Sequence, residues 1–159
     1  AHGINVALGT DWSPTGSKNL LDELKIARRY IDQELDKGNL SARHRKALSE
    51  ITDQALAEMV TENAYKAMNI FHLAGKVDPN YQADLTLIAR SATNRKKSGA
   101  KTPYSALVYA EQSDVSLVVV KGQPLYGDTA SISKASCQSL NCTKGIENCL
   151  ESNREKLSS

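Results

Sequence analysis

The feature that most constrains this sequence is a short apolar run placed directly before a loop and a long amphipathic helix. Residues 4–8 are rich in β-forming side chains and are too few for a helix. The run ends at Gly9 and Thr10, and Asp11 follows at the predicted C-terminal tip of the strand. In α/β barrels the side chains at such tips carry out the chemistry. The order of strand, loop and helix therefore predicts one β/α unit, with Asp11 as its candidate catalytic residue.

The helix of this unit is predicted from its apolar stripe and from its terminal residues. Ser17 is the predicted N-cap, and Gly38 with Asn39 is predicted to end the helix. Apolar residues recur at intervals of three or four along one face: Leu20, Leu24, Ala27, Ile31 and Leu35. A single stripe of this kind is typical of a helix that packs one face against the rest of its domain.

The remainder of the chain is predicted to be helical first and to form strands later. Residues 45–69 favour a helical region that breaks near Thr61, and residues 104–110 favour a helical turn. Residues 83–88 alternate as a strand does. Residues 115–126 predict a hairpin whose two turn residues are a lysine and a glycine.

Composition limits the classes of partner. The formal net charge is only +2, so no strong electrostatic field favours nucleic acid. The basic clusters at residues 43–46 and 95–97 have no interleaved aromatic side chains and are predicted to be solvated surface. No apolar run approaches the ~20 residues of a membrane span. We therefore predict neither a nucleic-acid partner nor a membrane partner.

The last part of the chain differs in composition from the rest. Residues 129–159 are polar and are predicted to form an appended, partly disordered tail. The tail holds the three cysteines of the chain, Cys137, Cys142 and Cys149, at spacings that match no zinc pattern. Free thiols and a single disulfide both remain open.

Three segments, taken in order, resemble the amidohydrolase superfamily. Residues 3–21 look like the last barrel strand and its loop in the chlorohydrolase and deaminase-like branch. Residues 59–79 are similar to a helix with a Thr-x-Asn-x-Ala pattern and the turn that follows it. Residues 83–88 and 118–124 are similar to the strands that come next. Each segment alone is a weak match, and the ordered set is specific.

The resemblance implies an α/β fold class. The chain would be the C-terminal part of a (β/α)8 metal-dependent hydrolase barrel, together with strands of a small β-sandwich. On this interpretation residues 1–74 hold the last barrel strand and its helices, residues 75–128 hold the sandwich strands, and residues 129–159 are the tail. Because the last strand lies so close to residue 1, we expect the chain to be the C-terminal portion of a larger protein.

The resemblance also implies a mechanism. Asp11 matches the last-strand aspartate of the family, which contacts the metal and handles the proton of the attacking water. A divalent metal, Zn or Fe, lowers the pKa of its bound water towards ~7, and a nearby carboxylate can pass the proton to a leaving amine. The implied reaction is hydrolysis of C–N bonds in a small-molecule substrate, as in a deaminase or a cyclic amide hydrolase. Trp12, Ser13 and Ser17 lie on the loop that would face the substrate.

The chain lacks the rest of the metal site that the family uses. No His-x-His pair is present, and His2, His44 and His72 lie where no ligand is expected. A catalytic zinc takes about three protein ligands, so we expect this chain alone to bind no catalytic metal and to be inactive. Its expected partner is the missing N-terminal part of the same barrel. The alternative is a non-catalytic α/β binding or interaction module.

Overall fold

A computed structural model describes residues 4–11, 16–89 and 102–133. The chain forms two compact units, residues 1–81 with 90–114 and residues 82–89 with 115–159. The described residues of the first unit contain five α-helices and a short 3₁₀ turn at Gln112–Asp114. The helices are α1 (Leu20–Asp36), α2 (Ala42–Ser49), α3 (Asp53–Met59), α4 (Glu62–Ala67) and α5 (Pro103–Val108).

Helix α1 begins later than the sequence predicts. Asn19 is the N-cap, and its side chain accepts a hydrogen bond of 3.0 Å from the backbone N–H of Asp22. Ser17, the predicted cap, instead donates its hydroxyl to the carboxylate of Glu23. Asn and Ser cap helices about equally well, so composition alone does not choose between them. The prediction of Ser17 as the cap was wrong, whereas the predicted end before Gly38 is confirmed.

The core of the first unit joins α1, α3 and α5. Its buried members are Leu24, Ile31, Leu56 and Val108. The predicted stripe of α1 is confirmed from Leu24 onward, because the rest of it lies in or against this cluster. Leu20 is the exception, since it is 41% exposed while Leu21 packs against the cluster instead. The late start of α1 explains the difference, because the first turn lies at the edge of the packed face.

The second helical region contains three helices. The predicted break at Thr61 is confirmed, although Thr61 donates its hydroxyl to the carbonyl of Ala57 over 2.8 Å and does not cap α4. A further break, which the sequence analysis missed, precedes α3. There Thr52 accepts a hydrogen bond of 3.2 Å from the N–H of Ala55. Ile51 and Thr52 are both β-branched, and β-branched side chains lower helix propensity. These two neighbouring residues could therefore have indicated the break.

Residues 4–8 form no regular secondary structure, contrary to the predicted strand. The first unit has no strand among its described residues, so the backbone of this segment has no ladder to join. Ile4 is 77% exposed and Val6 is 47% exposed, whereas Leu8 packs against the core cluster. The part of the chain that the structure describes therefore shows no barrel, and the described residues of the predicted barrel portion form helices joined by segments without regular secondary structure.

The second unit holds an antiparallel sheet with the strand order β1-β2-β3. Its strands are β1 (Leu85–Ile88), β2 (Val115–Val120) and β3 (Gln123–Gly127). The predicted hairpin is confirmed, with Lys121 at φ 51° and Gly122 at φ 77° in its turn. Two positive φ angles are what a two-residue type I′ turn requires, and they suit the twist of the flanking strands.

Two predicted regions lie wholly or mostly outside the described residues. Residues 129–133 are helical at the start of the predicted tail, and residues 134–159 lie outside the description together with all three cysteines. The loop predicted at residues 90–103 also falls there, apart from its last two residues. The predicted domain limits and the second sheet of the sandwich stay predictions.

Gly127 lies where the backbone of β2 approaches β3 closely. A Cβ atom here would lie 2.5 Å from the carbonyl oxygen of Ser116 and 3.1 Å from Cα of Leu117. Because both neighbours are backbone atoms, we expect Gly127→Ala to lower the free energy of unfolding by about 1–3 kcal/mol. Gly38→Ala is the control, since its Cβ would meet no atom within 4 Å. Urea denaturation measures both variants, and equal midpoints would contradict the expectation.

Candidate functional site

The structure describes two of the four predicted site residues. Asp11 lies at the exposed end of residues 4–11, which we call the Asp11 segment. Ser17 is half-buried and is held by its hydrogen bond to Glu23. Trp12 and Ser13 lie outside the described residues. Asp11 is exposed, and the run before it is not a strand, so its role at the tip of a barrel strand stays a prediction.

Three hydrogen bonds hold the Asp11 segment against α3 and α4. The backbone N–H of Leu8 donates to the carbonyl oxygen of Met59 over 3.0 Å. The side-chain amide of Asn63 donates to the carbonyl oxygen of Val6 over 3.0 Å. In return, the side-chain amide of Asn5 donates to the carbonyl oxygen of Asn63 over 2.8 Å. The sequence analysis missed this pairing, because it joins residues that are 57 and 58 positions apart.

An open groove with a volume of about 450 Å³ lies beside the N-terminal half of α1. Its lining residues are Gly16, Ser17, Lys18, Asp22, Lys25, Ile26, Arg29 and Glu111. Three of these side chains are cations and two are carboxylates, so the groove has mixed charge. Of the described residues that were predicted to contact substrate, Ser17 lies in this groove.

Lys25 is the best-connected charge of the groove. Its ammonium lies 3.0 Å from a carboxylate oxygen of Glu111 and 3.1 Å from one of Asp22, and it donates to the carbonyl of Ala110 over 3.1 Å. Burial lowers the pKa of Lys25, but the hydrogen bonds to the two carboxylates outweigh it and raise the pKa above its ordinary value. Lys25 therefore stays charged and ties α1 to the chain that follows α5.

The raised pKa of Lys25 predicts how its contribution to stability changes with pH. A pKa that is higher in the folded state stabilises below the ordinary value of 10.5, and the stabilisation is lost as the pH rises through the folded-state pKa. We expect Lys25→Met to cost about 0.5–1 kcal/mol at pH 7, since the Glu111 side chain is 42% exposed and solvent weakens the pair. Above pH 10.5 the difference from wild type should shrink.

Urea denaturation at pH 7 and at pH 11 measures this effect. Lys18→Met removes an exposed lysine of the same groove and is the matched control. An equal loss of stability for Lys25→Met at both pH values would contradict the expectation. It would show that the aliphatic part of Lys25, and not its charge, stabilises the contact between α1 and residues 110–111.

A second polar network joins α1, α3 and α5 through Asp53. Its carboxylate lies 3.7 Å from the guanidinium of Arg28 and accepts a hydrogen bond of 2.6 Å from the hydroxyl of Ser105. Arg28 also donates to the carbonyl of Ile51 over 3.0 Å. Ser105 is 5% exposed, and a buried hydroxyl that finds a carboxylate in this way is satisfied. The network joins helices and has no histidine among these partners to activate the serine.

The residues that the structure describes do not fit a catalytic metal by themselves. Among them, no three His, Cys, Asp or Glu side chains lie close enough together to share an ion. His44 lies on α2 and His72 lies after α4, while His2 is outside the described residues. Asp11 is one carboxylate, and a catalytic zinc takes about three protein ligands. No reaction step through a metal follows from this chain alone.

The described helices also bear on membrane insertion. Within residues 4–11, 16–89 and 102–133, no helix is both long enough and apolar enough to cross a membrane.

Comparison with known families defines the class of protein. The profile of the amidohydrolase family matches residues 1–125. The match covers most of the 159 residues and supports a hydrolase-type function, and the family suggests a partial TIM-barrel fold that the described residues do not show. The chain belongs to the amidohydrolase family. The resemblance inferred from residues 3–21, 59–79 and the later strands is thereby confirmed at the level of the family. A comparison with curated proteins finds no match.

Proposed function

We propose that this chain is the C-terminal portion of a metal-dependent amidohydrolase of the chlorohydrolase and deaminase-like branch, acting on C–N bonds as a deaminase or a cyclic amide hydrolase. The observation that carries the proposal is the exposed position of Asp11, three residues after a segment that hydrogen bonds anchor to α3 and α4. The family match covers that segment. Hydrolysis is the chemistry of the family, and Asp11 is the side chain proposed to take part in it.

Asp11 is proposed to handle the proton of the attacking water. An ionised carboxylate accepts a proton from water within hydrogen-bond reach and can return it to a leaving amine. The groove beside α1 supports a place for substrate, because Ser17 lines it together with charged side chains of both signs. Ser17, Trp12 and Ser13 are the proposed substrate contacts, and the substrate is proposed to be a small molecule.

The proposed partner is the N-terminal part of the same barrel. Ile4 and Val6 expose 77% and 47% of their surface on a segment that has no strand beside it in the described residues. Exposed apolar side chains of this kind form a surface that a neighbouring part of the protein can cover. The other metal ligands would have to come from that part, as would the divalent metal, Zn or Fe. The proposal includes no nucleic-acid and no membrane partner.

The test compares the complete open reading frame that contains this chain with residues 1–159 alone. Both proteins are assayed for ammonia release from aminopyrimidines and aminopurines, and for ring opening of cyclic amides. We expect hydrolysis by the complete protein, its loss on dialysis against a chelator, and its recovery on addition of Zn²⁺ or Fe²⁺. Residues 1–159 alone should hydrolyse none of these compounds.

Two outcomes would contradict the proposal. Hydrolysis by residues 1–159 alone would show that this chain holds a complete site of its own. A complete protein without activity on any of these compounds would favour the alternative, a non-catalytic α/β binding or interaction module.

A further inference from the structure

We infer that Asn63 is a positioning residue for Asp11 and acts through the backbone of the Asp11 segment. The inference rests on the proposed function, in which the carboxylate of Asp11 handles a proton. Asn63 does not line the groove, and it holds the Asp11 segment at Asn5 and Val6, so its effect on the reaction would be indirect. Among the described contacts of the Asp11 segment with α3 and α4, the hydrogen bonds to Val6 and from Asn5 both involve this one residue.

The hydrogen bonds of Asn63 define the register of the Asp11 segment. Its side-chain amide donates to the carbonyl of Val6 over 3.0 Å, and its own carbonyl accepts from the side chain of Asn5 over 2.8 Å. The two contacts therefore hold neighbouring residues, Val6 through its backbone carbonyl and Asn5 through its side-chain amide. A shift of the chain by one residue would move both partner atoms away from Asn63 and would break both contacts. The two hydrogen bonds thus fix one alignment of the Asp11 segment along α4, although no strand pairs with this segment in the described residues.

The hydrogen bonds to α3 and α4 restrict the position of Asp11 because they lie close to it in the sequence. The N–H of Leu8 is fixed to the carbonyl of Met59 at 3.0 Å, three residues before Asp11. Three extended residues span at most about 10 Å, so the anchors bound where the carboxylate lies. Met59 and Asn63 belong to α3 and α4, and α3 contributes the buried Leu56 to the core. The packed helices therefore restrict the position of Asp11, the proposed catalytic residue.

An asparagine suits this role because of its chemistry. Its amide nitrogen donates to a backbone carbonyl and carries no charge. Leucine has the same branched arrangement of side-chain heavy atoms and no donor, so Asn63→Leu removes the hydrogen bond to Val6 while keeping the shape of the side chain. Asn5→Leu removes the opposite contact from the exposed segment and leaves α4 unchanged. Asn39→Leu is the matched control, because Asn39 is exposed in the turn after α1.

The experiment is a double-mutant cycle in the complete protein, with kcat and KM measured on the compound of the panel that is hydrolysed fastest. We expect Asn63→Leu and Asn5→Leu each to lower kcat about tenfold with little change in KM, since small displacements of a catalytic group are costly. Asn39→Leu should leave both constants unchanged. In an Asp11→Asn background, Asn63→Leu should cause no further loss. Hydrogen exchange should become faster at residues 5–8 in Asn63→Leu and Asn5→Leu.

The cycle separates this inference from a general loss of stability. If Asn63 only stabilised the fold, its loss would multiply with that of Asp11→Asn, and this result would overturn the inference. Full activity of both Asn63→Leu and Asn5→Leu, beside an inactive Asp11→Asn, would also overturn it while leaving the proposed function intact. Full activity of Asp11→Asn would instead overturn the proposed function, and the inference with it. If Asn63→Leu unfolds α4, Asn5→Leu alone decides.

Discussion

Asp11→Asn is expected to lower kcat of the complete protein by about 10²–10⁴-fold, which is the contribution that a positioned general base makes. Asparagine has the size of aspartate but cannot accept a proton at neutral pH. Asp11 is exposed and is not a member of the hydrophobic core cluster. The loss should therefore appear in the rate of hydrolysis while the protein stays folded.

The matched control is Asp36→Asn at the exposed C-terminal end of α1. It removes the same charge by the same chemical change, at a position with no proposed role. Steady-state hydrolysis and urea denaturation are measured for both variants in the complete protein. Equal rates for Asp11→Asn and Asp36→Asn would exclude Asp11 from the reaction. A large loss of stability for Asp11→Asn would show that its carboxylate holds the fold.

Leu24→Ala is expected to lower the free energy of unfolding by about 2–5 kcal/mol, whereas Leu20→Ala should change it by less than about 0.5 kcal/mol. The two leucines lie one helical turn apart on α1 and undergo the same chemical change. Leu24 is 1% exposed and sits in the core cluster, while Leu20 is 41% exposed. Removing Leu24 leaves a cavity between α1, α3 and α5, and removing Leu20 leaves none.

Urea denaturation of both variants, followed by far-UV circular dichroism, measures this difference. Both variants replace leucine by alanine in the same helix, so the difference between them reports chiefly the burial of the side chain. Equal costs would mean that the first turn of α1 is packed as tightly as the second, and that the stripe predicted from the sequence was complete from Leu20 onward.

Local signals in the sequence predicted most of the elements. The hairpin of β2 and β3, the strand β1 and the break at Thr61 are confirmed, because turn residues and alternation act over a few neighbouring positions. The cap of α1 was predicted wrongly because Ser17 and Asn19 are both good caps. The choice between them depends on Glu23, which binds the hydroxyl of Ser17.

Some features of the candidate site could likewise be predicted from the sequence, and others could not. Asp11 stands out in the sequence, since an acidic residue directly after an apolar run is visible without any tertiary contact. The pairing of Asn63 with Asn5 and the contact of Lys25 with Glu111 are not visible, because they join residues that are 58 and 86 positions apart. No periodicity or motif specifies which distant side chain an exposed amide or lysine meets.

The sequence by itself determined the family, the helical stripe from Leu24 to Leu35, the hairpin and the position of Asp11 beside a loop. These follow from patterns of neighbouring residues, in which the physical cause lies within one or two turns of chain. Only the tertiary structure decided that residues 4–8 lie on helices and not in a sheet. A strand forms only where another strand pairs with it. The residues of one segment do not specify which other segment will pair with it.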